Sequence, residues 1–293
     1  GTRKDGRVSE LEGLPELTDP AVIAAFAGWN DAADAATSAI DHLADVWDAT
    51  LLGELDPDPY YDFQVNRPIV SLEDGLTRRI EWPTTRLYVA RPPGAGRDLL
   101  LIRGLEPNMR WREFCAEILA AIHDVGADLV VTLGALLSDA PHTRPLPVTG
   151  SASDASTAAQ MGVERSRYEG PTGIVGVFQD ACARIDLTAV SLWAHVPHYV
   201  AQPPCPRATL ALLHRVEELL DVAIPLEDLP DEAEAWLRSV DELAAEDSEI
   251  AEYVAQLEAR IEEGGSPEAT ATGDQIAEDF ERYLRRRGTG RPD

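Results

Sequence analysis

The sequence predicts a three-layer α/β/α domain on a mainly parallel sheet, followed by an acidic helical appendage, and three observations predict it. Residues 99–102, 129–133 and 187–193 are continuous apolar runs, not alternating ones, as expected of strands covered on both faces. Amphipathic helical stretches separate those runs, which favours parallel crossovers. After Pro225 the chain changes to an acidic, heptad-like pattern. The expected division is therefore 1–225 for the α/β/α domain and 226–293 for the appendage.

The first element is Ala21-Val-Ile-Ala-Ala-Phe26, a short apolar strand stopped at Gly28. The Asn30-Asp31 pair is then placed to cap a helix whose inner face is Ala36, Ile40, Leu43 and Trp47. Over residues 65–91, β-branched and alternating positions are broken by Asp74-Gly75 and Pro83, predicting a meander or hairpin pair that adds an antiparallel edge. Residues 99–102 form the next strand. Asn108 is the expected cap of a helix with Trp111, Phe114, Ile118, Ile122 and Val125 on one face, stopped at Gly126. Residues 129–133 complete a βαβ unit. A helix over 173–184, a strand over 187–193 and a helix over 208–220 close the body.

In the appendage, Trp236, Val240, Leu243, Ile250, Val254, Leu257 and Ile261 recur at alternating fours and threes, interrupted at Asp247. One long rod and two helices packed as a hairpin, with Ser248 capping the second, both satisfy this pattern. Thr272 and Gln275 have capping-box spacing before Ile276, Phe280, Tyr283 and Leu284, predicting a last amphipathic helix that runs into Arg285-Arg-Arg287.

At 293 residues and 44% hydrophobic content the chain can bury a large core. Its 52 acidic against 25 basic residues give a net charge of -27, which repels phosphate backbones and argues against a nucleic-acid partner. Solvated acidic faces that keep the protein soluble account for that charge. Cys115, Cys182 and Cys205 are odd in number and lack metal-ligand spacing, so neither a disulfide framework nor a zinc site is expected. No uncharged apolar run approaches the ~18 residues of a membrane span, and no secretory core is visible near the start. The expectation is a soluble, cytoplasmic chain.

The candidate chemistry follows the strands, since ligands of open α/β sheets sit beyond the strands' carboxyl ends. Arg103-Gly-Leu-Glu-Pro-Asn108 offers a cation, the Glu106 carboxylate and the Asn108 amide at one strand end. His142, Arg144 and Thr149 come from the next crossover, and Ser151 from a turn before an Ala-rich helix. These residues are expected to converge, where two arginines and helix amides could clamp a small anion. The same arginines could instead pair with Glu106, Glu113 or Asp139 and pin loops. His142, His195 and His198 have no carboxylate or thiolate at convincing ligand spacing, so they read as loop histidines bonded to backbone, and no metal is expected. Gly170-Pro-Thr-Gly173 lacks the parts of a nucleotide loop, and no nucleotide cofactor is expected. Cys115 and Cys182 fall on apolar helix faces as small core residues.

Several of these segments in one order resemble the proteasome assembly chaperone family, in the branch found in actinobacteria. They are Gly134-Ala-Leu-Leu-Ser-Asp-Ala-Pro-His-Thr-Arg-Pro145, Val148-Thr-Gly150, Tyr168-Glu-Gly-Pro-Thr-Gly-Ile174 and Trp193-Ala-His-Val-Pro-His-Tyr199. The resemblance covers about 21–220, and the acidic helical tail is also similar to that branch. It implies a fold like that of purine nucleoside phosphorylases and related hydrolases, without their catalytic groups, and self-association, with a trimer favoured. Eukaryotic relatives are dimeric chaperones of the proteasome α-ring that dock partly through a C-terminal hydrophobic-Tyr-any tripeptide. The sequence here ends Arg291-Pro-Asp293, which departs from that pattern. The function expected is a non-enzymatic homo-oligomeric scaffold or assembly factor with a protein partner. The alternative is an enzyme or binder of a phosphate-like or nucleoside-like anion, although no recognisable catalytic set is present.

Overall fold

The computed structural model describes residues 16–73, 75 and 77–263. In chain order its first half contains β1 (Ala21–Ala27), α1 (Ala35–Val46), β2 (Thr50–Glu54), β3 (Ile69–Glu73), β4 (Thr77–Glu81), β5 (Arg86–Ala90), β6 (Leu99–Leu105) and α2 (Trp111–Asp124). The second half contains β7 (Leu129–Ser138), β8 (Val148–Ala152), α3 (Ala155–Met161), β9 (Glu164–Arg165), α4 (Ile174–Ala183), β10 (Thr188–Pro197), α5 (Pro206–Leu220), α6 (Leu229–Glu246) and α7 (Ser248–Glu262). Eight strands form one sheet in the order β2-β5-β6-β1-β7-β10-β8-β9. β6, β1, β7 and β10 are mutually parallel at its centre, whereas β2, β5 and β8 join by antiparallel pairing.

Strand alternation divides the core between the two faces of the sheet. Ala21, Ile23, Leu99, Leu101, Val131, Leu133 and Leu192 pack with α1 and α5 on one face. Val22, Ala24, Phe26, Leu100, Ile102 and Val130 pack with α2 and α4 on the other. Phe26 meets Phe114 and Phe178 edge-on, with ring centroids 5.8 and 6.2 Å apart. All three rings are fully buried, a contribution of roughly 2–3 kcal/mol each by area. The mixed α/β architecture with a mostly parallel sheet is the one the apolar runs imply.

Four local expectations are corrected. β7 and β10 run ten residues each, so Gly134-Ala-Leu-Leu-Ser138 and Trp193-Ala-His-Val-Pro197 are strand, not loop. Gly134 sits in the strand because the ring of Trp193 occupies the place of its side chain: a Cβ there would lie 2.5 Å from Trp193 Cε3. The 65–91 stretch splits, with β3 and β4 pairing as a hairpin outside the main sheet while β5 joins it. The sheet edge on that side is β2, a strand the sequence pattern did not announce. α2 is preceded by Arg110 in the left-handed region (φ 57°), and Asn108 does not cap it.

Beyond Pro225 the acidic stretch is a two-helix hairpin. α6 packs on α5, and α7 packs on α6. Leu229, Ala233, Val240, Val254 and Leu257 are its buried members. The break falls at Asp247, whose carboxylate accepts from Glu249 N and Ile250 N, so Asp247 is the cap in place of Ser248. The helix expected around Ile276 to Arg287 lies outside the described residues. No helix among the described residues is long and apolar enough to cross a membrane.

Candidate functional site

β1 is followed by α1 on one face of the sheet, and its neighbour β6 is followed by α2 on the opposite face. Crossovers that leave adjacent strands in opposite directions open a crevice at their carboxyl ends, the usual ligand site of such sheets. Here the crevice is occupied by the chain itself. Glu106, the residue after β6, accepts at Oε1 from Asn30 Nδ2 (2.9 Å) and from Ile174 N at the start of α4 (2.9 Å). A carboxylate at a helix N-terminus, held by backbone and amide donors, is the arrangement an anionic ligand would otherwise adopt.

Two glycines permit this fit. A Cβ on Gly173, the residue before α4, would stand 2.3 Å from Asn30 Oδ1. Gly28 takes φ +128° directly above Glu106, whose Cβ lies 3.3 Å from where a side chain would begin. Asn30 is buried, and its carbonyl accepts from Ala135 N (2.8 Å), tying the first crossover to β7. Asp31 beside it accepts from Ala36 N (2.6 Å), Thr37 N (3.2 Å) and the Thr37 hydroxyl, so it caps α1 across an intervening short 3-10 turn. Burial outweighs those bonds and pushes the Asp31 carboxyl up to about 6.

A second polar cluster lies beyond β7 and β10. His142 is buried, with Nδ1 2.7 Å from the Tyr199 hydroxyl and Nε2 3.1 Å from Asp241 Oδ1 on α6. The neutral ring protonated on Nε2 satisfies both contacts, while the Tyr199 oxygen also accepts from His142 N (2.8 Å). Burial lowers the His142 pKa more than nearby Asp241 raises it. Tyr253 on α7 donates to Asp139 Oδ1 (2.7 Å), Arg260 lies 3.5 Å from Asp139 Oδ2, and Thr143 bonds to Glu258. His142, His198, Tyr199 and Tyr253 stack edge to face. Arg207 closes the cluster by donating to the carbonyls of His142 (2.7 Å) and Arg144 (3.1 Å). These groups fasten the α6–α7 hairpin to the ends of the central strands.

The structure separates the residues expected to converge. Arg103 is level with Ala25, Leu133, Leu192 and Gly150 across five adjacent strands. Four strand spacings of ~4.8 Å put roughly 19 Å between Arg103 and the stretch around Ser151. They also occupy opposite faces. Arg103 reaches Asp41 on α1 (2.6 Å), whereas Ser151 bonds Ser191 (2.9 Å) on the face that packs with α2 and α4. The expected turn at Ser151 is strand β8, and Asp154 caps α3 through Ser156 N and Thr157 N, both 2.9 Å. Thr149 lies 3.4 Å from His195 Nε2 within the sheet. Arg144 meets Glu262 at 3.1 Å on the surface of the hairpin contact. Asn108 accepts from Asp62 N (2.8 Å) and Asn66 Nδ2 (2.7 Å), pinning the loop after β2.

His195 is a buried strand residue, not a loop histidine, and burial lowers it to about 4. Among the described residues no group of three or more His, Cys, Asp or Glu is placed to hold a metal ion. Cys115, Cys182 and Cys205 are buried free thiols, each pushed up by desolvation, to about 12, 12 and 11. A groove of about 470 Å³ between α5 and α6 is lined by Leu146, Arg207, Leu210, His214, Ala233 and Leu237, and its Arg207 is engaged as described above. Sequence reasoning missed Tyr199, Arg207, Asp241 and Tyr253 as partners of the 139–144 segment. The one available signal was Tyr199, which ends the Trp193 motif.

Among curated proteins no sequence matches this chain. Solved structures do. A PAC2 family protein from Streptomyces avermitilis is 58% identical over 80% of this chain and 100% of its own, with a TM-score of 0.76. A proteasome-assembly chaperone homologue from Mycobacterium tuberculosis is 57% identical over 80% of this chain and 99% of its own, with a TM-score of 0.74. A protein of unknown function from Corynebacterium glutamicum is 28% identical over 86% and 96%, with a TM-score of 0.78. The family model for PAC2 matches residues 25–244, taking in the sheet except the first four residues of β1, both polar clusters' anchoring residues up to Asp241, and most of α6, and the chain belongs to the PAC2 family.

Proposed function

We propose that this chain is a non-enzymatic, homo-oligomeric protein-assembly factor acting in a chaperone-like way in the cytoplasm, with a trimer as the favoured state. The observation that carries this reading is the occupied crevice. Glu106, an anionic group of the chain itself, takes up the α4 amide and the Asn30 amide that an anionic substrate would need. Arg103 and Arg144, the cations offered for such a substrate, pair with Asp41 and Glu262 on different elements. The 57% identical homologue described as a proteasome-assembly chaperone homologue supports the direction of the assignment. A protein partner fits a body whose polar loops are turned inward on their own contacts.

The test has two parts. Sedimentation equilibrium of the full chain should give a mass of two or more copies at micromolar concentration. Purified chain mixed with unassembled proteasome α-subunits from the same organism should bind them and change the rate at which rings form. A monomer that leaves ring formation unchanged refutes the proposal.

A further inference from the structure

The β3–β4 hairpin carries an apolar face that no other element covers among the described residues. Its register places Val70 opposite Ile80 and Leu72 opposite Arg78, and Trp82 directly follows β4. Val70, Leu72 and Ile80 each leave more than half of their surface exposed, and Trp82 nearly half. The other face carries Ser71, Arg79 and Glu81 with Ile69. Trp82 touches Phe63 edge-on at 4.8 Å, and the chain after it is fixed by Thr84 Oγ1 donating to Leu55 O (2.6 Å). The hairpin is thus rooted beside the β2 margin of the main sheet while its apolar face points outward. A two-stranded ribbon is marginal in water unless another element packs on it.

We infer that this face is where a second copy of the chain packs, so that the β3–β4 hairpin is the self-association surface; the inference rests on the homo-oligomeric reading above. Two arguments select a second copy. The first is area. The four side chains expose on the order of 450 Å² of mainly apolar surface, over half of the ~800 Å² that each partner gives to a standard interface. The second is charge. The chain carries a net charge of -27, yet over residues 65–82 Arg67, Arg78 and Arg79 balance Glu73, Asp74 and Glu81. Two copies meeting through most other surface bring like charge together, whereas this ribbon brings none. Arg78, on the apolar face itself, also gives an acidic copy a cation to meet.

The experiment uses the full chain and the double variant Val70→Ser, Ile80→Thr, which removes apolar area from exposed positions without disturbing the core. Far-UV circular dichroism checks that both proteins fold alike, and Leu243→Ser, an exposed apolar change on α6, serves as control. Sedimentation equilibrium should show an oligomer for wild type and control, and a dissociation constant raised about tenfold or more in the double variant. An oligomeric double variant of unchanged dissociation constant overturns the hairpin assignment and leaves self-association standing. A monomeric wild type overturns the homo-oligomeric reading itself and the second copy as occupant, leaving the hairpin face to a different protein.

Discussion

Replacing Glu106 by alanine is the most direct test of the filled crevice. The substitution removes the acceptor of two bonds, one from the buried Asn30 amide and one from the first helical N–H of α4 at the fully buried Ile174. A hydrogen bond to a charged acceptor contributes about 1.5–3 kcal/mol net, and a donor left buried without a partner costs about 1–3 kcal/mol. Glu106 itself is only half-buried, so water can replace part of what is lost. The expected cost of Glu106→Ala is therefore about 2–4 kcal/mol, a fall in melting temperature of roughly 4–10 °C for a chain of this size. Glu106→Gln keeps an acceptor of the same shape and loses only the charge at the helix N-terminus, so it should cost about 1 kcal/mol.

Urea unfolding at neutral pH measures both values, and a second measurement separates occupancy from ordinary packing. Formate, acetate or phosphate should stabilise Glu106→Ala by entering the vacated position, with little gain for wild type. The reasoning is refuted by an alanine variant that loses less than about 1 kcal/mol, or by a glutamine variant as unstable as the alanine. Equal stabilisation of wild type and Glu106→Ala by the same anion would show that Glu106 does not occupy the site at all.

Four further outcomes follow from the packing and the buried charges. Burial holds His195 at about 4 against 6.5 in the unfolded chain, so the stability it contributes is present above pH 6.5 and lost as the pH falls towards 4, about 3 kcal/mol in all; His195→Gln should flatten that limb of the urea midpoint plotted against pH. Asp31 has the opposite sign, because its folded pKa of about 6 lies above the ordinary 3.8 of an aspartate: protonation between those values favours the fold, and Asp31→Asn should make the acid loss steeper. Val240→Asp buries an unpaired carboxylate between α6 and its neighbours and should cost about 3 kcal/mol or more, with faster amide exchange through α6 and α7; unchanged exchange there would count against the packing. Gly173→Ala forces a methyl against Asn30 Oδ1 and should cost about 1–3 kcal/mol, most of it recovered in the double variant with Asn30→Ala if the clash is local.

The central strands and helices were legible because their signals are local. Continuous apolar runs at β1, β6, β7 and β10 and helical spacing at α1, α2, α4 and α5 need no distant partner to be recognised. What failed depended on pairing across the fold. Gly134 reads as a breaker until Trp193 is known to lie over it from the adjacent strand. Ser151 reads as a turn residue until β8 is seen to pair antiparallel with β10. Asn108 has the residue type and position of a cap, yet its carbonyl is used 42 and 46 residues away, by Asn66 and Asp62. The convergence expected at the carboxyl edge assumed that successive strands are neighbours. In the sheet β6 and β8 are separated by β1, β7 and β10, and alternation turns Arg103 and Ser151 to opposite faces. The individual binding roles of those residues are a separate matter from their separation.

The distribution of satisfied and unsatisfied groups gives the last step. At the carboxyl ends of the central strands, most of the donors and acceptors that make such sheets useful for small ligands are matched within the chain, Glu106 with Asn30 and α4, Asp139 with Tyr253 and Arg260, His142 with Tyr199 and Asp241, while the buried Ser138 Oγ and His195 Nδ1 have no hydrogen-bond partner among the described residues. The segments that resemble the assembly chaperones are largely these same segments, so their sequence is spent on seating the α6–α7 hairpin and closing the crevice. On the β3–β4 ribbon the reverse holds. Its backbone pairs, but Val70, Leu72 and Ile80 face water, in a chain whose other apolar side chains are mostly in the core. Unmatched surface is where binding free energy is still available, and here that surface is apolar, ribbon-shaped and locally neutral. Those properties suit a protein neighbour and offer little to a small anion, which needs fixed donors. The polar edge and the apolar ribbon thus both support the proposed class of function.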